Sequence, residues 1–136
     1  MDEYYMKIAI EEAKKAARHN EVPVGAIIVK NNKILSKAYN KREKHQDVTK
    51  HAEIIAISKA CKKIKNWRLD DCTIYVTMEP CMMCCGAIEQ SRISKIVYGT
   101  SNENFGYTKK ISTKNISQKC EKECQQIVQE FFKNRR

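Results

Sequence analysis

Two short stretches hold residues whose types and spacing could do chemistry: His51-Ala52-Glu53, and Pro80-Cys81-Met82-Met83-Cys84. Proline suits the first turn of a helix, so Pro80 is expected to open one. Cys81 and Cys84, three residues apart, then share a face and can reach one ion. The positive end of the helix favours their thiolate form. Alone, Pro-Cys-x-x-Cys reads either as a thioredoxin-like redox pair or as half of a metal site. His51 favours the metal. It is a good neutral ligand at the start of a helical stretch, and two helices beginning on the same edge of a sheet would bring it to the cysteines. One histidine and two cysteines are three ligands, which leaves a fourth position for water, the arrangement of catalytic zinc. Thiolate and imidazole together select zinc over magnesium or calcium. Glu53, two residues beyond His51, is placed to take a proton from that water and pass it to a substrate.

The remaining cysteines read differently. The chain has seven cysteines in 136 residues, an odd, irregularly spaced set that favours metal ligation and packing in a reducing compartment over disulfides. Cys85 is turned about 100° from Cys84 on a helix, so packing is its expected role. Cys120 and Cys124, four apart on an apolar face, and Cys61 and Cys72 are expected to fill the core. His19 and His45 read as surface residues. Of Met82 and Met83, one is expected to line the pocket and the other to pack.

The elements that must position these groups follow from periodicity. Residues 2–19 read as a helix with Tyr5, Ile8, Ala9, Ala13, Ala16 and Ala17 as its apolar stripe. Strands at 24–30 and 33–39 flank a two-residue turn at Asn31-Asn32, which suits the positive φ of a tight hairpin. A polar loop over 41–50 leads to a helix from His51 to about Ile64, with Asp47 and Thr49 as candidate caps. A strand at 72–78, the Pro80 helix to about Ser91 and a strand at 93–99 follow. A short strand is expected around Lys114–Ser117, and a last helix over 119–133 has Cys120, Cys124, Ile127, Val128 and Phe131 on one face. Strands alternating with helices predict an α/β fold with a mixed sheet. Residues 1–136 are expected to form a single domain. The N-terminus lacks the apolar core of a signal peptide, and no apolar run reaches the length of a membrane span, so a cytoplasmic location and no membrane partner are expected.

The pattern H-x-E followed by P-C-x-x-C is the signature of the zinc deaminases. The chain resembles a bacterial-type tRNA-specific adenosine deaminase of the cytidine deaminase superfamily, from about residue 4 to 106 and again in the last helix. EVPVGAIIV resembles the family's first strand, and Tyr39-Asn40 the segment ending in its substrate-contacting asparagine. DVTKHAEI resembles a D-P-T-x-H-A-E run, NWRL the loop after that helix, YVTMEPCMMC the metal-binding strand and helix, SRISKIVYG the following strand, and ECQQIVQEFFKNRR the C-terminal helix. The resemblance implies a three-layer α/β/α cytidine deaminase-like sandwich with a mixed five-stranded sheet. It implies one Zn2+ per subunit on His51, Cys81 and Cys84, with Glu53 as proton shuttle. Asn40, Val22, Ala52 and Pro80 would meet the target nucleoside. Phe131, Arg135 and Arg136 would face RNA, in a homodimer acting on the anticodon stem-loop of tRNA. Val48 stands where the family usually has proline, Cys85 where it has a small residue, and the segment after Gly106 is about ten residues shorter by a rough alignment.

Charge and spacing bear on the partner. The net charge of +10 fits a polyanion, or a lysine-rich proteome. Residues 107–136 hold eight Lys or Arg against three Glu, which suits phosphate. Periodicity turns Phe131 inward and makes Phe132 the better candidate for an exposed stacking surface. A deaminase of free guanine or cytosine shares the metal motif but has no need of this charge or of Phe-Phe-x-x-Arg-Arg. A zinc-stabilised RNA-binding module has no use for Glu53.

Overall fold

A computed structural model describes residues 1–113 and 115–135. Five helices and five strands follow in the order α1 (Asp2–Arg18), β1 (Gly25–Lys30), β2 (Lys33–Tyr39), α2 (Arg42–His45), α3 (Ala52–Ile64), β3 (Cys72–Met78), α4 (Met82–Gln90), β4 (Lys95–Thr100), β5 (Ile116–Gln118) and α5 (Glu121–Lys133), with a 3-10 turn at Thr108–Lys110 before β5. The strands form one sheet in the order β2-β1-β3-β4-β5. β1 is antiparallel to β2 and β3, and β3-β4-β5 run parallel. Asn31 and Asn32 both take positive φ, 50° and 63°, which closes the hairpin as expected.

Strand alternation divides the core into two layers. Ala26, Ile28, Ile74, Val76 and Ile96 point to one face and pack with Ala52, Ala56 and Ala60 of α3 and Ile88 of α4. Ile27, Val29, Tyr75 and Val97 point to the other and pack with Tyr5, Met6, Ala9 and Ile10 of α1 and Cys124 of α5. Three alanines on α3 let it lie close to the sheet. Gly25 does the same for α1, since a Cβ there would stand 2.1 Å from the carbonyl oxygen of Ala9. The result is the expected sandwich around a mixed five-stranded sheet.

Several expectations are corrected. The buried stripe of α1 keeps Tyr5, Ala9, Ala13 and Ala16 and extends to Met6 and Ile10, while Ile8 and Ala17 are only half-buried. The loop expected over 41–50 contains the one-turn helix α2. The Glu21 carboxylate, buried at 1% exposure, accepts the backbone N–H groups of Glu43 and Lys44 and so caps it from 22 residues upstream. Neither Asp47 nor Thr49 caps α3. Asp47 accepts the backbone N–H and hydroxyl of Thr49 in a local turn, and His51 itself is the residue before the first helical turn. Pro80 does not lie inside the first turn of α4, because Cys81 holds the corresponding position there. The expected strand near Lys114–Ser117 appears as Ile116–Gln118, and Lys114 lies outside the described residues. No described helix is long and apolar enough to cross a membrane.

Candidate active site

Chain direction brings the chemistry to one edge. β3 and β4 are parallel and end there at Met78 and Thr100. β1 begins at the same edge after Val22–Val24, and antiparallel β2 returns to it at Tyr39 and Asn40. Val24 before β1, Asn40 after β2, Glu79 after β3 and Asn102 two residues after β4 therefore border a shared cleft, the usual ligand position beyond the carboxyl ends of parallel strands. The cleft opens to solvent and is bordered by Val22, Val24, Asn40, Ala52, Glu53, Met78, Glu79 and Asn102 beside His51 and Cys81.

The two helix starts meet at its floor. His51 Nδ1 stands 3.5 Å from Cys84 Sγ and 3.8 Å from Cys81 Sγ. These three donor atoms all lie within 4.8 Å of one another, a group able to hold a metal ion. Both His51 and Cys81 have extended backbone just ahead of their helices (φ −72° and −77°), with no side-chain cap. A side chain that would otherwise bond its own helix is thereby turned toward the cleft. The Cys84 thiol and the His51 ring hold the Cys81 thiol far below its ordinary range, at about 3. Its bond to Cys81, together with burial, pushes Cys84 up, and the bond to the Cys81 sulfur raises His51. A soft cation bound by the trio would displace the protons that these groups hold.

Glu53 sits one residue into α3, at 4% exposure. Burial pushes its carboxyl up to about 7, and the thiol of Cys84 and its own backbone N–H bond it. Its carboxyl borders the cleft together with His51 and Cys81.

The other residues singled out in the sequence are distributed as follows. Asn40 and Val22 border the cleft and bond each other: Asn40 Nδ2 donates to the Val22 carbonyl at 3.2 Å, and Asn40 Oδ1 accepts the Arg42 N–H. Ala52 also borders it. Pro80 does not; it is buried behind Cys81, where its carbonyl accepts the Cys85 thiol and the Tyr107 N–H. Cys85 is fully buried and packs, as expected, away from the His51 group. Neither Met82 nor Met83 borders the cleft; Met78 does. Phe131 is half-buried in a groove against Lys14, Ala17 and Arg18 of α1, while Phe132 is exposed. The Arg135 guanidinium covers the Phe131 ring at 4.7 Å and bonds Asn20. Arg136 lies outside the described residues. Sequence reasoning missed Glu79 and Asn102. Their only local signal is adjacency to the cysteines and to the end of a strand.

Comparison with known proteins agrees with this geometry. The family described as MafB19-like deaminase matches residues 1–136. A tRNA-specific adenosine deaminase of Bacillus subtilis (strain 168) is 50% identical over 105 residues, 77% of this chain and 65% of that protein, just under two thirds of its length. One from Buchnera aphidicola subsp. Schizaphis graminum is 43% identical over 99% of this chain and 96% of its own. A structure solved in a study of A-to-I editing by tRNA:A34 deaminases superimposes with a TM-score of 0.85 at 32% identity, covering 91% of this chain and 98% of that one. Its cytidine deaminase-like architecture, a mixed five-stranded sheet with helices on both sides, is the one seen in this chain. On sequence and fold together, the chain belongs to the family of tRNA-specific adenosine deaminases.

Proposed function

We propose that this chain is a single-domain, zinc-dependent enzyme that hydrolytically deaminates adenosine to inosine at the wobble position of a tRNA anticodon. The convergence of His51, Cys81 and Cys84 beside a buried glutamate carries this reading. Two sulfurs and one ring nitrogen are a zinc donor set, and a tetrahedral zinc with bonds of about 2.3 Å to sulfur and about 2.0–2.1 Å to nitrogen requires N···S separations of about 3.6 Å. The observed 3.5 and 3.8 Å fit. When bound, zinc supplies the Lewis acidity that makes water a nucleophile at neutral pH.

The protein's own groups do the rest. Glu53, with its carboxyl raised toward neutrality, is poised to accept and return protons. It takes the first proton of the attacking water and places it on N1 of the purine as oxygen bonds to C6, then takes the remaining hydroxyl proton of that C6 adduct and gives it to the amino group, which leaves as ammonia when the C6–N bond breaks and the C6 carbonyl forms. Val22, Asn40 and Ala52 border the space for the base. Backbone N–H groups at the starts of α3 and α4 favour the developing negative charge. An anticodon loop is single-stranded, so its base can be splayed into the cleft at modest cost. The net charge of +10 suits the phosphate backbone, with Phe132, Arg135, Arg136 and the Phe131 groove as the RNA-facing end. A cytoplasmic homodimer is the expected working form; exposed Val48 and Met82, beside the two ligand-bearing helix starts, offer it apolar surface.

The test is inosine formation. Zinc-loaded protein is incubated with an anticodon stem-loop bearing wobble adenine and, separately, with free guanine, cytosine and adenosine. Inosine at the wobble position is the expected product. Ammonia released only from the free compounds would refute the tRNA reading, and equal activity in Glu53→Ala would refute the mechanism.

A further inference from the structure

One wall of the cleft is irregular chain, and a single buried carboxylate holds it. Glu79 follows β3, is 8% exposed, and forms no ion pair among the described residues. Its Oε1 accepts the Asn102 backbone N–H at 3.2 Å. Its Oε2 accepts the Thr108 N–H at 3.2 Å and the Thr108 hydroxyl. Three donors and no acceptor converge on it, which suits a carboxylate and not an amide, whose NH2 would face a donor.

The segment between those two residues folds against the same group. A Cβ on Gly106 would stand 2.3 Å from Glu79 Oε1 and 2.5 Å from the Asn102 carbonyl, so only glycine allows the approach. Gly106 N–H donates to that carbonyl, Phe105 N–H to Asn102 Oδ1, and Tyr107 N–H to the Pro80 carbonyl. Residues 102–108 thus hang from Glu79 and Pro80, the two residues just ahead of Cys81. Asn102 borders the cleft, and so does Glu79, whose two carboxylate oxygens are turned to the donors of this segment.

We propose that Glu79 is the positioning residue that fixes segment 102–108 as a wall of the substrate cleft, acting on substrate through Asn102. The proposal deepens the deaminase reading and rests on it. Both Glu79 oxygens are already bonded, so it does not serve as a second proton shuttle. It also lies outside the His51, Cys81 and Cys84 group, so it is not a ligand.

The test compares wild type with Glu79→Gln, Thr108→Val and Gly106→Ala in the zinc-loaded protein. Amide hydrogen exchange in 102–108 is expected to speed up about tenfold or more in each, through the loss of one bond to a charged group in Glu79→Gln and Thr108→Val and through the clash of the new Cβ with the carboxylate in Gly106→Ala, with β1 and β3 unchanged. KM for the stem-loop RNA is expected to rise about tenfold with kcat within about twofold. The Glu79→Gln/Thr108→Val double variant should be no worse than Glu79→Gln alone, because the two act as one unit. Loss of zinc in Glu79→Gln, or a lower unfolding midpoint with unaltered exchange and KM, would overturn the proposal. If wild type leaves the RNA unchanged, the deaminase reading fails, while exchange still judges the anchor: unaltered exchange in Glu79→Gln overturns it and local acceleration upholds it.

Discussion

The buried carboxyl of Glu53 should make the metal-free fold lose stability as pH rises. Its ordinary value is 4.5 and burial raises it to about 7 in the folded chain. The folded state therefore holds a proton that the unfolded chain releases between these values. Below about pH 4.5 both states are protonated and burial of the neutral acid brings no linkage penalty. Above about pH 7 the carboxylate must be buried as an anion, and a gap of some 2.5 units corresponds to about 3 kcal/mol of lost stability. Glu53→Gln keeps the shape and removes the charge. In chelator-treated, reduced protein, urea unfolding at pH 8 should show the variant more stable than wild type by up to about 3 kcal/mol. Near pH 4.5 the two should agree, and the same variant loaded with metal should have lost about 10²- to 10⁴-fold in deamination rate. A difference equal at both pH values would refute the reasoning, since it would come from packing and not from the charge.

Cys84→Ala should abolish stoichiometric metal binding, read by metal analysis after dialysis, whereas Cys85→Ala should keep the metal and lose about 1–2 kcal/mol to the small cavity it leaves. Glu21→Ala removes the buried acceptor of the Glu43 and Lys44 N–H groups and should cost about 1–3 kcal/mol in denaturant unfolding. Phe131→Ala should lower the unfolding midpoint, because its ring fills the groove between α1 and α5. Phe132→Ala should leave the midpoint alone and weaken RNA binding by about 1–3 kcal/mol if the exposed ring stacks on a base, as measured by titration at fixed salt.

The convergence of His51, Cys81 and Cys84 was legible because its members come as short motifs whose spacing survives any fold. The hairpin was legible because Asn31-Asn32 states its turn locally, and the parallel strands because β-branched runs alternate with helical ones. What stayed hidden acts across the chain. The helix α2 has no signal of its own beyond a polar tetrapeptide; its cap is Glu21, brought there by β1 and β2. The stripe of α1 was read only in part, without Met6 and Ile10, because the sheet strands it lies on decide what is covered. The strand β5 is three residues long in a polar segment and exists through backbone pairing with β4, to which side-chain pattern is blind. Glu79 escaped notice for the same reason: its three donors lie 23 to 29 residues downstream.

His51 and Cys81 each occupy the place where a helix would ordinarily carry serine, threonine, aspartate or asparagine, and neither caps its helix. Each omission is worth about 1 kcal/mol of helix stability. The two positions are therefore held against the chain's own folding preference. A sequence selected for stability alone would drift toward His51→Asn and Cys81→Ser, gaining robustness as it lost its chemistry. Thermostability screens that do not also demand activity should recover such changes early.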